Sequence, residues 1–83
     1  MLKVLYFARL REIFGIASEE ISGVPLETVA DLKEWLAHRG EVWSCELASD
    51  KVVRAAINQE MATDVDKIHD GDEIALFPPV TGG

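Results

Sequence analysis

The chain has 83 residues, is 48% hydrophobic and carries a net charge of −7 from 8 basic and 15 acidic side chains. Its length and hydrophobic content fit one small folded domain and argue against disorder. The acidity argues against nucleic-acid binding, because basic side chains supply most of the affinity for phosphates. A charged partner should therefore be basic, unless the acidity serves only solubility.

The sequence also indicates a cellular compartment. No apolar run approaches the roughly 20 residues that a membrane span needs, and Met1–Lys3 leads into a strand-like segment rather than a signal peptide. The single cysteine, Cys45, cannot form an internal disulfide, which fits a reducing environment. We therefore expect a cytoplasmic protein that makes no membrane contact.

The start of the chain predicts two strands joined by a helical turn. Residues 2–8 are rich in strand formers and apolar on both faces, which is typical of a central strand that is buried or flanked by neighbours. Arg9–Phe14 predicts a helical turn that stops at Gly15. Residues 17–22 alternate weakly, with Ile21 facing inward, and predict a second strand that returns antiparallel to the first.

The clearest helix runs from about residue 29 to residue 39. Thr28 can cap its start, and Asp31 places negative charge near the positive end of the helix dipole. Because the apolar residues recur at helical spacing, one face should pack on a sheet. That face carries Val29, Leu32, Trp35 and Leu36. Gly40 should end the helix.

The second half of the chain predicts mostly strands. Val65 and Ile68 should be loop residues that pack inward. Asp70-Gly71-Asp72 is a strong turn signal, and Pro78 should end the last strand because proline cannot donate to a ladder. The predicted segments are a short helix at 41–48, a strand at 52–58, a short strand at 61–63 and a last strand at 73–77.

This order of elements predicts an α+β fold of the β-grasp (ubiquitin-like) type. A mixed sheet of about five strands would carry one main helix across its face, with short extra helical turns. The first and last strands would be adjacent at the centre, and a parallel pair would be joined by a right-handed crossover. The domain should cover residues 1–77, and residues 78–83 should form an extended C-terminal tail.

Few side chains of the predicted domain suggest catalysis. His38 and His69 lie in polar contexts without metal-ligand spacing, so we expect both to be solvated and no metal site to form. Cys45, close to Trp43, should serve packing rather than act as a reactive thiol. The glycines form no phosphate loop, and we expect no cofactor bound by this chain.

The tail carries the strongest chemical signal. Pro78 and Pro79 favour an extended, semi-rigid start, and the segment from Phe77 to Gly83 would reach about 23–25 Å when fully extended. The residues that could thread into a partner's slot are Pro78, Pro79, Val80, Thr81, Gly82 and Gly83. Glycine lacks Cβ, so the tip is slim. Thr81 could hydrogen-bond in the slot or stay solvated, and the chemistry would take place on the carboxylate of Gly83.

The ending Phe-Pro-Pro-Val-Thr-Gly-Gly, residues 77–83, is the most specific motif of the chain. It resembles the ending of the small subunit of molybdopterin synthase, the sulfur carrier of molybdenum-cofactor biosynthesis. Weaker matches extend the resemblance over the whole chain. They are Val4–Ala8, the Arg11-Glu12 pair followed by Gly15, Ala56–Gln59 and Asp70–Glu73.

This resemblance implies a carrier rather than an enzyme. An adenylyltransferase related to ubiquitin-activating enzymes would bind ATP and adenylate Gly83, and a sulfur donor protein would then convert it to a thiocarboxylate. The tail would enter the large subunit of the synthase and give its sulfur to cyclic pyranopterin monophosphate. The family assembles as a heterotetramer, and its catalytic side chains are expected on the large subunit.

The resemblance also implies a docking surface on the domain. Phe7, Arg11 and Phe77 match contact positions of the family. Phe7 or Phe77 could instead belong to the core, since an aromatic residue on a strand usually serves packing. Arg11 could equally be a solvated charge at a helix end.

Other functions fit the same ending. A carrier for tRNA thiolation stays open, whereas the thiazole carrier of thiamin biosynthesis is disfavoured because its tail should lack the double proline. A ubiquitin-like protein modifier would form an isopeptide bond through the same glycine. A non-covalent interaction domain would not need Gly82 and Gly83 at all.

Overall fold

Two strands from opposite ends of the chain lie side by side at the centre of the sheet. The computed structural model describes residues 1–47 and 52–79. Within them the strand order is β2-β1-β5-β3-β4, with β1 and β5 parallel and the other neighbours antiparallel. The elements in chain order are β1 (Leu2–Tyr6), α1 (Arg9–Phe14), β2 (Ser18–Ile21), α2 (Val29–Ala37), α3 (Glu41–Glu46), β3 (Arg54–Ile57), β4 (Glu60–Ala62) and β5 (Glu73–Phe77). The predicted β-grasp sheet is confirmed.

One face of this sheet forms the core. Along β1, Leu2, Val4 and Tyr6 are buried, whereas Lys3 is exposed and Leu5 is only half-buried. This alternation is the period of two that a half-covered strand requires. Helix α2 lies on the buried face, and its fully buried residues are Val29, Leu32 and Leu36. We call the opposite side of the sheet, which carries Lys3 and Leu5, the open face.

The start of α2 is fixed by a reciprocal cap. Thr28 Oγ1 accepts a hydrogen bond from the Asp31 backbone N–H, and Asp31 Oδ2 accepts one from the Thr28 N–H, each at 3.2 Å. Two backbone donors that the helix itself cannot satisfy thus gain partners. The predicted cap is therefore present, and Asp31 completes it as well as placing charge near the helix dipole.

The end of α2 differs slightly from the prediction. The helix stops at Ala37, with His38 as its C-cap, two residues before the predicted Arg39. Arg39 instead donates to both carboxylate oxygens of Glu19 at 2.9 Å. Gly40, which the sequence assigned to the stop, precedes α3 as its N-cap residue. Arg39 thereby links the end of α2 to β2 and, through its contact with Trp43, to α3.

An aromatic cluster joins the two short helices to the sheet. The rings of Phe14 in α1 and Trp43 in α3 stack with centroids 3.8 Å apart, and the Arg39 guanidinium lies 4.2 Å from a Trp43 ring centroid. Tyr6 contacts both rings edge-on and donates to Glu19 Oε2 at 2.6 Å. Burial, followed by the neighbouring Glu19 carboxylate, raises the pKa of Tyr6 above its ordinary value. Tyr6 therefore stays a neutral hydrogen-bond donor.

The loop before β5 contains one wrong prediction. Ile68 is buried as expected, but Val65 is 80% exposed. The carbonyls of Asp64 and Asp66 accept hydrogen bonds from the Ala30 and Val29 N–H groups at the start of α2, at 3.0 and 3.1 Å. Because these neighbours bind the helix end, Val65 between them is left facing solvent.

Two further differences concern length. Strand β3 is shorter than the predicted 52–58, and Ala48, the predicted end of the short helix, lies outside the described residues. In the part of the chain that is described, no helix has the length and apolar character to cross a membrane.

Candidate functional site

Phe7 and Phe77 meet where β1 and β5 end. Tyr6 and Leu76 are partners in the parallel register, and the Phe7 N–H donates to the Leu76 carbonyl at 3.1 Å. Since Tyr6 and Leu76 are buried, the alternation of side chains places the residues that follow them on the open face. Phe7 is 48% exposed and Phe77 is half-buried, so both lie outside the main core.

A strained turn connects Phe7 to the third predicted docking residue, Arg11. Ala8 has φ 53° and ψ −128°, a conformation that costs a residue with a Cβ about 1–3 kcal/mol. Leu10 N–H closes the turn by donating to the Phe7 carbonyl at 3.2 Å. Helix α1 therefore begins immediately beside the end of β1, and Arg11, its third residue, is exposed. The turn holds Phe7 and Arg11 in a fixed backbone relation.

The structure adds Met61, which sequence reasoning did not identify. Ala56 pairs with Ala75 on one side and with Met61 on the other, so these three residues share one face of the sheet. Leu5 pairs with Ala75 and places that face on the open side. Met61 is 65% exposed. The sequence did carry a signal for Met61. It is an apolar residue in the short strand after the Asn58-Gln59 turn, where every second side chain faces the same side of the sheet.

We call Phe7, Phe77, Ala75, Ala56 and Met61 the docking patch. It is an apolar strip on the open face that ends where the tail begins. Phe7 and Met61 are exposed, Phe77 and Ala75 are half-buried, and Ala56 is buried between them. Exposed apolar side chains along one strip of a small protein commonly mark a contact surface.

The start of the tail is described only in part. Pro78 and Pro79 are both half-buried, which means that they lie against the domain for part of their surface. The expectations for Val80, Thr81, Gly82 and Gly83 concern residues outside the described part of the chain. Their threading and chemical roles therefore stay predictions.

The remaining candidate side chains do not form a reactive centre. Cys45 is exposed, so the predicted packing role is wrong. Trp43 and Leu47 are four residues apart and take the inward side of α3, which leaves Cys45 outside. His38 and His69 are exposed as predicted. Across the described ranges, no three His, Cys, Asp or Glu residues are grouped so that they could hold a metal ion.

Comparison with known proteins gives a consistent picture. Residues 4–83 match the ThiS family. The chain is 40% identical to the molybdopterin synthase sulfur carrier subunits of Escherichia coli (strain K12) and of Haemophilus influenzae, and the matches cover 100% of this chain and 100% of the Escherichia coli protein.

Two solved structures show the same fold. SAMP1, a small archaeal modifier protein from Haloferax volcanii, is 29% identical with a TM-score of 0.77, over 99% of this chain and 98% of that one. A chain from the complex of subunits 1 and 2 of the molybdopterin-converting factor of Helicobacter pylori is 25% identical with a TM-score of 0.66, over 99% and 97%. The family match and the full-length relatives together show that this chain belongs to the ThiS family, among the sulfur carrier subunits of molybdopterin synthase.

Proposed function

We propose that this chain carries sulfur for molybdopterin synthesis in the cytoplasm, on the carboxyl group of Gly83. The observation that carries the proposal is the 40% identity over the full length to two molybdopterin synthase sulfur carrier subunits. The Gly82-Gly83 ending and the docking patch at the base of the tail support it. The chain acts as a co-substrate, and the catalytic side chains belong to its partners.

Activation begins at the carboxylate of Gly83. One of its oxygens attacks the α-phosphorus of ATP, pyrophosphate leaves, and an acyl adenylate forms. Hydrosulfide delivered by a donor protein then attacks the carbonyl carbon and displaces AMP, which leaves a thiocarboxylate. An adenylyltransferase related to ubiquitin-activating enzymes binds the ATP, so this chain itself holds no cofactor. This chemistry converts a poor acyl donor into a reactive one in two steps.

Sulfur donation takes place in a second partner, the large subunit of the synthase. The thiocarboxylate sulfur attacks a carbon of cyclic pyranopterin monophosphate, the oxygen substituent on that carbon leaves, and a carbon–sulfur bond replaces the carbon–oxygen bond. Water then cleaves the acyl–sulfur bond, which restores the carboxylate of Gly83 for another cycle. The slim tip and the stiff Pro78-Pro79 start reduce the conformational entropy lost when the tail enters a slot. Two carriers and two large subunits would form the heterotetramer.

The docking patch supplies the affinity that holds the tail in place. Its exposed Phe7 and Met61 offer apolar area on one side of the sheet, and Arg11 offers a positive charge beside it. Aromatic residues and arginine are the side chains that most often dominate protein–protein contacts. Because the patch ends where the tail begins, a partner that binds the patch also receives the tail.

A reconstitution tests the proposal. The full-length chain is mixed with a large subunit, an activating enzyme, ATP and sulfide, and molybdopterin formation is measured. Deletion of Gly83 should abolish molybdopterin formation, while binding to the large subunit, measured separately, should persist. The proposal fails if the truncated chain still supports molybdopterin formation under the same conditions.

A protein modifier is the second candidate, favoured by the similarity to SAMP1. The two functions leave different products on Gly83. A carrier gains the mass difference between one sulfur and one oxygen, whereas a modifier appears in larger adducts joined to lysine side chains. Mass spectrometry of the chain recovered from cells separates them. Lysine adducts without any thiocarboxylate would favour the modifier.

A further inference from the structure

The basic side chains of this acidic protein are distributed unevenly. Three of them form ion pairs within the domain: Arg9 with Glu46, Lys33 with Asp64 and Arg39 with Glu19. Among the described residues, no such pair is made by Lys3, Arg11, Arg54 or Lys67. The unpaired set therefore shows where positive charge is available to a partner.

Arg54 lies at the tail end of the open face. It is the register partner of Phe77, the last residue of β5, and it is exposed. Two residues further along each strand, Ala56 faces Ala75, so the neighbours of Arg54 on this face are apolar. Arg54 therefore stands beside the docking patch, at the point where the chain continues into Pro78.

The far end of the open face is different. Lys3 is the register partner of Glu20 on one side and of Glu73 on the other. Two carboxylates thus flank this lysine on the same face, and its charge is locally balanced. At the tail end, by contrast, the register partner of Arg54 is the uncharged Phe77. Arg11, four residues after Phe7 in the sequence, is also exposed.

We infer that Arg54, together with Arg11, selects a partner with an acidic side chain at the rim of the slot that receives the tail. The partner is the large subunit of the synthase, so the inference rests on the proposed function. Complementary charge at the rim of an interface speeds association and disfavours wrong partners. The overall charge of −7 suggested a basic partner, but Arg54 and Arg11 at the docking end make no ion pair among the described residues and leave positive charge open to an acidic one.

The test measures association of the full-length chain with the large subunit at low and high ionic strength. Arg54→Glu should slow association about 10-fold at low salt, because reversal of a rim charge acts mainly on the association rate. The wild-type rate should fall as salt rises, and the variant should have lost most of that dependence. Arg54→Gln should give an intermediate rate.

Lys67→Glu is the matched control. Lys67 is exposed, has no ion-pair partner among the described residues and lies in the loop that bridges to Thr28, away from the open face. The substitution makes the same change in net charge, and the association rate should stay within about 2-fold of wild type. An equal loss in both variants would mean that only net charge matters, which overturns the inference.

A second arm locates the acidic partner group. Surface Asp and Glu residues around the tail slot of the large subunit are changed to Lys one at a time, and at least one change should restore fast association of the Arg54→Glu chain. If no change restores it, or if Arg54→Glu associates normally, the inference is wrong. A failure of the wild-type chain to bind the large subunit or to support molybdopterin formation would instead contradict the proposed function.

Discussion

Gln59 occupies a backbone conformation that glycine would adopt at lower cost. Asn58 and Gln59 connect β3 to β4 and have φ values of 49° and 72°. A two-residue hairpin turn with both φ values positive favours Asn followed by Gly, because glycine has no Cβ to clash in the left-handed region. The chain has the preferred residue at the first position only.

We therefore predict that Gln59→Gly stabilises the protein. The free energy of unfolding should rise by about 0.5–1 kcal/mol, since the relief of the left-handed strain exceeds the added entropy of the unfolded chain. Urea unfolding measures the change. Gln59→Ala keeps the Cβ and should leave the stability near wild type. A Gln59→Gly variant less stable than wild type would contradict the assigned turn.

Met61 gives a prediction for binding at the same hairpin. Met61→Asp should weaken binding to the large subunit about 10–30-fold, because it places a charge in the apolar docking patch at a cost typical of an important interface residue. Titration calorimetry measures the affinity. Val65→Asp is the control, since Val65 is also exposed and apolar but lies in the loop beyond β4. Equal losses in both variants would argue against the patch.

At the level of an element, the reciprocal cap of α2 should contribute measurably to stability. Thr28→Ala removes the oxygen that accepts from the Asp31 N–H and should lower the free energy of unfolding by about 1 kcal/mol. Thr28→Ser keeps an oxygen at that position and should retain most of the stability. Thermal unfolding of the three proteins checks this. If Ala and Ser behave alike, the hydroxyl hydrogen bond contributes nothing.

The turn before β5 should make stability depend on pH. Asp72 accepts from the His69 backbone N–H at 2.8 Å and from the Asn58 side-chain amide at 2.9 Å, and these bonds, in that order, lower the pKa of Asp72. Because the folded state favours the carboxylate, its contribution is present above the unfolded pKa of about 4 and is lost as the pH falls through the folded value.

The matching variant is Asp72→Asn. Wild type should be more stable than this variant at neutral pH, and the difference should shrink as the pH is lowered below about 4. Urea unfolding across that range measures the difference. Glu34→Gln changes an exposed carboxylate that makes no hydrogen bond through its side chain among the described residues, and it serves as the control. A constant difference between wild type and Asp72→Asn at all pH values would contradict the linkage.

For the whole molecule, the order of elements was predictable because each has a local signal. The spacing of Val29, Leu32 and Leu36 predicts an amphipathic helix, and Thr28 marks its start. The resemblance of residues 77–83 to the ending of the sulfur carrier of molybdopterin synthase indicated the function. These signals depend on residues close together in the chain, which is why the sequence alone was sufficient.

The resemblance named Phe7, Arg11 and Phe77 as docking residues, but the places of Met61 and Arg54 beside them could not be predicted in the same way. Arg54 faces Phe77 only through the antiparallel register of β3 and β5, and 23 positions separate the two residues in the sequence. Cys45 and Val65 are exposed because their neighbours in the chain, and not they themselves, pack into the core or bind the start of α2. Such facts follow from long-range pairing, and a single sequence gives only local patterns.

The boundary between domain and tail is a property of the whole molecule that truncation can test. The sequence places it after Phe77, where β5 ends, but Pro78 and Pro79 are half-buried. If the two prolines pack on the domain, a chain ending at Pro79 should unfold at the same urea concentration as the full-length protein. A chain ending at Phe77 should lose about 1 kcal/mol, the value expected for losing the apolar area that two half-buried proline rings cover.

Both truncated chains should fail in sulfur transfer, because neither retains Gly83. Equal stability of the two would mean that the tail begins at Pro78, as the sequence predicts, and that the full segment is free to extend into a partner. If removing the prolines instead lowers the stability, the free part of the tail consists only of the residues after Pro79. Its extended reach is then about 13–14 Å. The slot of the large subunit could then be no deeper than that distance unless the prolines leave the domain on binding.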